Sequence, residues 1–338
     1  MSRPSGLPRA FSGAQPTSAS FHLGNYLGAL RQWVLLQDEA LDTIYCVVDL
    51  HAITFDPPPP AELRAHSRSA AAQMIAAGVD PTRSILFLQS QVPAHTGLAW
   101  VMECLAGYGE ATRMTQFKDK AARGQTHSVG LLTYPMLMAA DILLYDAAQV
   151  PVGEDQRQHI EITRDLALRF NSRYGETFVV PEGFMPKASA KIYDLQDPAA
   201  KMSKSLGEAG TLELLDDPSV LTRKIKRAVT DAENEIRYDP AAKPGVSNLL
   251  AILAAVTGRD VEAVALEYSG QGYGSLKTAV ADAVVAFSEP FAARTKELLG
   301  DPAELDAILA DGAARARAIA EPKLDLVYDR VGFLRPGV

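Results

Sequence analysis

Two short stretches of this chain carry residue types suited to handling phosphate. Lys201-Met202-Ser203-Lys204-Ser205-Leu206-Gly207 sets two ammonium groups three residues apart among small hydroxyl side chains. Far upstream, Gln15-Pro16-Thr17 and His22-Leu23-Gly24-Asn25 combine a glycine with several side chains able to donate hydrogen bonds. Nucleotidyl transfer develops charge on an α-phosphate and on a departing pyrophosphate. Mobile lysines that close over those oxygens stabilise the transition state more than the ground state. Asp197-Pro198 before the lysine loop and Gly207 after it permit the hinge that closure needs. Gly24 lets backbone approach a planar base, while Thr17, His22 and Asn25 can donate to phosphate oxygens. Each stretch also has a plainer reading. The lysines could sit on a solvated loop, and Thr17 or Ser18 could simply cap a helix beside an exposed His22.

Both stretches need a scaffold that brings them together. Phe11 to Gln15 reads as the end of a strand, followed by a turn and a helix from about Tyr26 to Glu39. Thr43-Ile44-Tyr45-Cys46-Val47-Val48-Asp49-Leu50 is a continuous β-branched and aromatic run, the pattern of a strand buried on both faces. The spacing predicts a helix from Ala61 to a terminating glycine at Gly78, then a strand from Ser84 to Ser90. Alternating strands and helices predict an α/β fold with a Rossmann-like, doubly wound parallel sheet. There, ligands bind at the carboxyl ends of the strands. From about Asp216 the strand signals vanish. Leu221 to Val229, Val246 to Thr257, Ser275 to Phe287 and Pro302 to Tyr328 all read as helices. We therefore expect a catalytic domain over residues 1–200 with the lysine loop 201–207 at its end. A helical domain over 208–300 and a C-terminal helix over 301–338 packing back on the body would follow.

A length of 338 residues suits one large and one smaller domain, and an apolar fraction of 47% is ample for a core. The net charge of −8 is not that of a general nucleic-acid binder. Any RNA contact must come from local basic patches such as Arg223-Lys224-Ile225-Lys226-Arg227, or Lys118, Lys120 and Arg123. Either patch could equally be a solvated helix face. Of the two cysteines, Cys46 lies in an apolar run and reads as a buried thiol, which fits a reducing compartment. Met1 to Pro8 has no apolar signal core and no stretch is long enough to span a bilayer, so we expect a cytoplasmic protein without membrane partners. No His/Cys cluster has metal-ligand spacing, so no protein-bound metal is expected.

A third constellation lies on a helix. Tyr134, Met138 and Asp141 fall at i, i+4 and i+7 and share one face, which is apolar except for the carboxylate. A buried, unpaired aspartate is costly, so something must donate to it. An indole N–H is a donor with no acceptor counterpart, and a single carboxylate in an aromatic-sized pocket suits it. An ion pair with a structural arginine would satisfy Asp141 equally well. His51 reads as either a structural histidine or a ligand contact, and Met138 as either core or pocket wall.

The lysine loop and the glycine turn together resemble the KMSKS and HIGH motifs of class I aminoacyl-tRNA synthetases. The intervening chain resembles the tryptophanyl-tRNA synthetases of the bacterial type. The residues that carry this are Phe11 to Pro16, Gly24 to Trp33, Val48 to Thr54, Arg113 to Lys118, Tyr134 to Tyr145, Val150 to Gln156 and Lys243 to Leu250. The similarity runs over nearly the whole chain. Two details depart from the usual motifs. The HIGH-like turn ends in Asn25, as is usual in the tryptophan branch, and Thr17 to Phe21 runs one residue longer than the common bacterial form.

The resemblance implies a Rossmann-like catalytic domain with an α-helical C-terminal domain. It also implies ATP-dependent activation of L-tryptophan, with transfer of the tryptophanyl group to tRNA(Trp). Lys201, Lys204, Thr17 and Asn25 would be catalytic. Gln15, Pro16, Thr17, Gly24, Asn25, Gly153, Glu154, Asp155, Ile192 and Lys201 to Ser205 (including Met202, Ser203 and Lys204) would meet ATP, with Mg2+ held by its phosphates. Asp141 would read the indole nitrogen, and Met138, Tyr134, Phe11, His51, Val152 and Gln156 would complete the tryptophan site. Glu154 and Asp155 also read as charge at a helix N-terminus, and Ile192 as a core residue. A site built on such a hydrogen bond rejects an analogue lacking the donor by ~10⁴ or more, so no editing domain is expected. The resemblance also implies a homodimer. Three rivals stand beside it: a tyrosyl-tRNA synthetase, whose pocket would need partners for a hydroxyl; an adenylyltransferase for a small cofactor, which would need no anticodon-reading helical domain; and a catalytically silent RNA-binding paralogue, which would be expected to have lost Lys201, Lys204 or the glycine turn.

Overall fold

The structure, a computed structural model, describes residues 6–115, 117–118, 128–153, 156–184, 191–204 and 207–334. Five strands form one parallel sheet: β1 (Arg9–Ala14), β2 (Asp42–Val47), β3 (Ile85–Leu88), β4 (Ala147–Pro151) and β5 (Glu182–Phe184). Their spatial order is β3-β2-β1-β4-β5. The chain thus builds outward from β1 in one direction and then returns to build in the other. That reversal opens a crevice between the carboxyl ends of β1 and β4.

The sheet is covered on both faces, as its sequence pattern requires. Along β2, Ile44 and Cys46 pack into one apolar cluster, with Phe11, Phe87 and Tyr145, while Tyr45 and Val47 pack into another, with Trp33, Met74 and Leu86. Alternate side chains of a strand point to opposite faces, so a continuous apolar run is what burial on both faces demands. The strand is shorter than the run of residues suggested. It stops at Val47 because Asp49 opens a helical turn, α3, and its carboxylate accepts the Ser90 N–H at 2.9 Å. That turn carries His51 toward the crevice.

The first helical segment opens with α1 (Leu23–Asn25), passes through a π-helical stretch at Tyr26–Leu30, and continues as α2 (Arg31–Leu36). After α3 (Asp49–Ala52) come α4 (Pro60–Ala76), α5 (Ala94–Leu105), α6 (Tyr108–Arg113), α7 (Val129–Leu143) and α8 (Arg157–Tyr174). In α8, Ile160, Thr163, Ala167 and Phe170 are all buried, the amphipathic face expected of it.

Beyond the sheet, α9 (Pro218–Lys226), α10 (Pro244–Thr257), α11 (Val261–Tyr268) and α12 (Tyr273–Gly300) gather around a third apolar cluster. Leu23, Leu27, Ile192 and Met202 belong to this cluster, so the glycine turn and the lysine loop rest on a common apolar base. The helix α12 is longer than the stretch to Phe287 that the sequence suggests. Pro290 lies inside it without ending it, because proline removes one backbone donor, while Phe291, Thr295 and Leu298 are buried on its far side. Its first turns pack in the third cluster and its Leu298 in the second, which couples the helical region to the sheet.

The last helix, α13 (Pro302–Val331), lies against β3 and α5. At Gly312 a Cβ would stand 1.8 Å from the Leu86 carbonyl oxygen. Helix and strand backbones therefore meet at a distance that only glycine allows.

Candidate active site

A cleft of about 560 Å³ occupies the crevice at the carboxyl ends of β1 and β4. Ser12 to Gln15 line it from β1, and Val150 to Gly153 from β4. Its inner end is walled by Phe11, Met138, Ile142, Val150 and Val152, with Asp141 among them. Tyr134, Met138 and Asp141 all sit on α7 and all line the cleft, as their spacing required. Tyr134 is braced by His159, whose Nε2 lies 2.6 Å from its hydroxyl, and its ring meets His51 edge-on at 6.1 Å.

Asp141 is 2% exposed, and neither solution offered by the sequence applies in full. No arginine is bonded to it among the described residues. Instead, Oδ1 accepts from Gln89 Nε2 at 2.7 Å and from His95 Nδ1 at 2.6 Å, while Oδ2 accepts from His51 Nε2 at 2.9 Å. Burial alone would raise the carboxyl pKa. Hydrogen bonds from His51 and His95, and the charge interaction with each, outweigh burial and hold it below the ordinary value. An ionised carboxylate has about four lone-pair positions, so three protein donors leave one on Oδ2. Gln89 and His95 were missed in the sequence. They lie 52 and 46 residues from Asp141, and nothing in the local pattern of either announces the contact.

The outer end of the cleft is lined by Gln15, Thr17, Ser18, His22, Asn25, Ser203 and Lys204, so the structure brings the glycine turn and the lysine loop together. His22 caps α1. Its Nδ1 accepts the Asn25 N–H at 3.2 Å, and its own N–H donates to Asn25 Oδ1 at 3.1 Å. Burial, followed by the charges of Lys204 and Lys201, lowers the His22 pKa to about 4. The ring is therefore neutral near pH 7. With Nδ1 accepting, the proton resides on Nε2. Gly24 suits the same turn, since a Cβ there would press on His22 Nδ1 at 3.0 Å.

Lys204 ties the two motifs directly. Its Nζ donates to Ser18 Oγ at 2.7 Å, to the Ser20 carbonyl and to Glu213 Oε2 at 2.7 Å. The Thr17 to Phe21 segment is in turn held down on α4. Ser69 Oγ donates to the Ala19 carbonyl at 2.6 Å, and Gln73 Oε1 accepts the Phe21 N–H at 2.8 Å. Met202 is buried beneath the loop, where its N–H donates to the Ile192 carbonyl at 3.1 Å.

All seven residues singled out for an aromatic amino acid line this one cleft: Phe11, His51, Tyr134, Met138, Asp141, Val152 and Gln156. Of those singled out for a nucleotide, Gln15, Thr17, Asn25, Gly153, Ser203 and Lys204 line it too. Pro16, Gly24, Ile192, Lys201 and Met202 do not line it. Pro16, Ile192 and Met202 are buried behind the wall, and Lys201 is exposed beside it. Glu154, Asp155 and Ser205 lie outside the described residues.

A cleft at the topological switch point of a parallel sheet, between a glycine turn and a lysine loop, defines a Rossmann-like nucleotide-binding domain. Comparison with known proteins makes the class specific. The family model described as tRNA synthetases class I (W and Y) matches residues 5–289. The chain is 59% identical over 330 residues to tryptophan–tRNA ligase 2 of Streptomyces avermitilis, covering 97% of each chain. Among solved structures, tryptophanyl-tRNA synthetase of Mycoplasma pneumoniae superposes with a TM-score of 0.89 at 36% identity, over 97% of this chain and 99% of that one. That of Campylobacter jejuni, complexed with ADP and tryptophan, superposes with a TM-score of 0.84 at 35% identity, over 96% and 100%. The chain belongs to the class I tRNA synthetases of the tryptophan and tyrosine group.

The His22 environment sets a pH dependence. Its folded pKa lies below the ordinary 6.5, so protons bind the unfolded chain preferentially between those values. The stability it contributes is present above about pH 6.5 and is lost as pH falls toward 4. Denaturant titrations should show the wild type losing roughly 2–3 kcal/mol more than His22→Gln between pH 7 and pH 4.5. Equal losses in the two proteins would show that His22 is not held neutral by its surroundings.

Proposed function

We propose that this protein is an ATP-dependent tryptophan–tRNA ligase. The tryptophan carboxylate attacks the α-phosphate of ATP in line, releasing pyrophosphate and forming tryptophanyl-adenylate. A terminal ribose hydroxyl of tRNA(Trp), the 2′-hydroxyl in class I chemistry, then displaces AMP. The reading is carried by Asp141. It is a buried, ionised carboxylate with one acceptor position left, set in an apolar end of the cleft that matches an indole with its single N–H donor. A tyrosine hydroxyl both donates and accepts, and Asp141 as an ionised group can only accept.

Positioning and charge do most of the chemistry, as in other phosphoryl transfers. With the amino acid at the inner end, its carboxylate points outward toward Gln15, Thr17, Asn25 and Lys204. Lys204 and Lys201 neutralise the phosphates, and Lys204 must exchange the Glu213 carboxylate and the Ser18 hydroxyl for phosphate oxygens to do so. Neutral His22 offers an Nε2–H donor to the same oxygens. The described residues that line the phosphate side of the cleft carry no carboxylate, and Glu213 behind them is engaged by Lys204, so Mg2+ would be held here by the ATP phosphates, where it would supply further positive charge. Pro16, Gly24, Ile192 and Met202 shape the turn and the loop. Glu154, Asp155 and Ser205 belong to the nucleotide site by the family's pattern.

Basic side chains on α9 are the candidate tRNA contacts, although Lys224 is held by Asp216 at 2.6 Å, which leaves Arg223, Lys226 and Arg227 as the freer charges. Lys118 is exposed, while Lys120 and Arg123 lie outside the described residues. The reading includes a homodimer and a cytoplasmic location, and no described helix is long and apolar enough to cross a membrane. Trp100, Tyr108 and Val129, on the adjoining helices α5, α6 and α7, are 62%, 78% and 76% exposed, and each is an apolar side chain that a second copy could cover. Sedimentation should give twice the chain mass, and a monomer at micromolar concentration would remove the dimer from the proposal.

Amino-acid-dependent pyrophosphate exchange tests the activity. Tryptophan should drive exchange, and Asp141→Ala should lower kcat/KM for tryptophan by roughly 10²–10⁴ while KM for ATP stays within a few-fold. Exchange driven by tyrosine instead, or an Asp141→Ala enzyme with unchanged tryptophan turnover, would overturn the assignment.

A further inference from the structure

We propose that His95, fixed in turn by Tyr145, is a positioning residue that sets amino-acid specificity by aiming Asp141. The inference rests on the reading of Asp141 as the acceptor for the indole N–H. His95 is fully buried near the start of α5 and does not line the cleft, so it acts only through the carboxylate. Its Nδ1 stands 2.6 Å from Asp141 Oδ1, and its Nε2 stands 2.9 Å from the Tyr145 hydroxyl.

The direction of the first hydrogen bond follows from its acceptor. An ionised carboxylate only accepts, so Nδ1 of His95 donates to it. Nε2 shares a second hydrogen bond with the Tyr145 hydroxyl, so both ring nitrogens are engaged. Tyr145 is itself fully buried and held on several sides. Burial pushes its phenol pKa far up, so it keeps its proton, and its ring stacks on Phe11 with centroids 5.5 Å apart. Its backbone carbonyl accepts from Arg9 at 3.0 Å. The His95 ring packs against both Phe87 and Tyr145, with centroids 5.7 and 5.6 Å away, and those two rings meet each other at 5.9 Å. A ring held at both nitrogens in this way fixes the carboxylate plane through Oδ1.

The consequence is geometric. Gln89 and His95 occupy Oδ1 and His51 occupies one position of Oδ2, so the remaining Oδ2 position is the one presented to a ligand. Without His95, Oδ1 is held by Gln89 alone and the ionised form loses a donor. Both changes weaken the contact to an N–H while leaving apolar contacts with the ring intact. His95 thereby governs discrimination between ligands with and without the donor, rather than binding in general. Phe11 gives the same chain a second link to the pocket, because the ring that stacks on Tyr145 also lines the cleft.

The test compares tryptophan with its benzothiophene analogue, in which sulfur replaces the ring N–H, using the full-length enzyme in pyrophosphate exchange. The discrimination factor is the ratio of the two kcat/KM values. His95→Phe should lower it by roughly tenfold or more through the tryptophan value alone, with KM for ATP unchanged. His95→Asn keeps a donor near the Nδ1 position and should retain the factor within about threefold, while Tyr145→Phe should fall between them. If His95→Phe does not fold, the Asn and Phe substitutions at positions 95 and 145 carry the comparison by themselves. Equal loss for both substrates, or a Tyr145→Phe enzyme with wild-type discrimination, would overturn the proposal and make His95 a packing residue. A wild-type enzyme that fails to prefer tryptophan over the analogue would instead refute the role of Asp141 itself.

Discussion

An ionised carboxylate in an apolar interior is stable only if its oxygens are nearly all satisfied. At Asp141 this constraint organises much of the molecule. The three donors come from three different segments: His51 from α3 after β2, Gln89 from the end of β3, and His95 from α5. Strands β2 and β3 must therefore end where they do, and α5 must lie against α7, for the carboxylate to be tolerated. The same bonds leave one acceptor position at the apolar end of the cleft. The need to satisfy a buried charge and the ability to recognise a donor are thus met by one arrangement.

A second coupling joins the two ends of the chain's chemistry. Lys204 reaches across from the lysine loop to Ser18, Ser20 and Glu213, and Met202 beneath it packs in the same apolar cluster as Leu23 and Leu27 of the turn. Loop and turn therefore share an apolar base as well as a charged bridge. The charge of Lys204 also helps to keep His22 neutral, so the cap on α1 and the loop support one another. Helix α12 extends this coupling from the third apolar cluster to the second, alongside α4. The lysine loop thus packs with the helical region, and through α12 that region packs with the sheet.

Much of this was legible in the residues. The run from Thr43 to Leu50 announced a strand buried on both faces, and the Tyr134, Met138 and Asp141 spacing placed three cleft residues on one helix. Periodicity reports such features directly, because the interacting residues are neighbours in sequence. Two strands gave little signal. Ala147–Pro151 has a single β-branched residue, and Glu182–Phe184 is three residues long with a glycine at its centre. Gln89 and His95 were not legible for a different reason. Each is one polar residue beside an apolar stretch, and its importance lies in a contact made about fifty positions away. The arginine considered for Asp141 illustrates the same limit, since sequence shows that a buried charge needs a partner but not which one. The amino acid itself was suggested by resemblance and not by spacing alone.

The central claim is that the unfilled position of Asp141 Oδ2 receives the indole N–H of tryptophan. A crystal structure of this protein with L-tryptophan bound tests it most directly. The account predicts the indole nitrogen at about 3 Å from Asp141 Oδ2, with the bonds from His51, Gln89 and His95 kept. An indole nitrogen directed away from Asp141, or a ring seated at the outer end of the cleft beside Lys204, would contradict it.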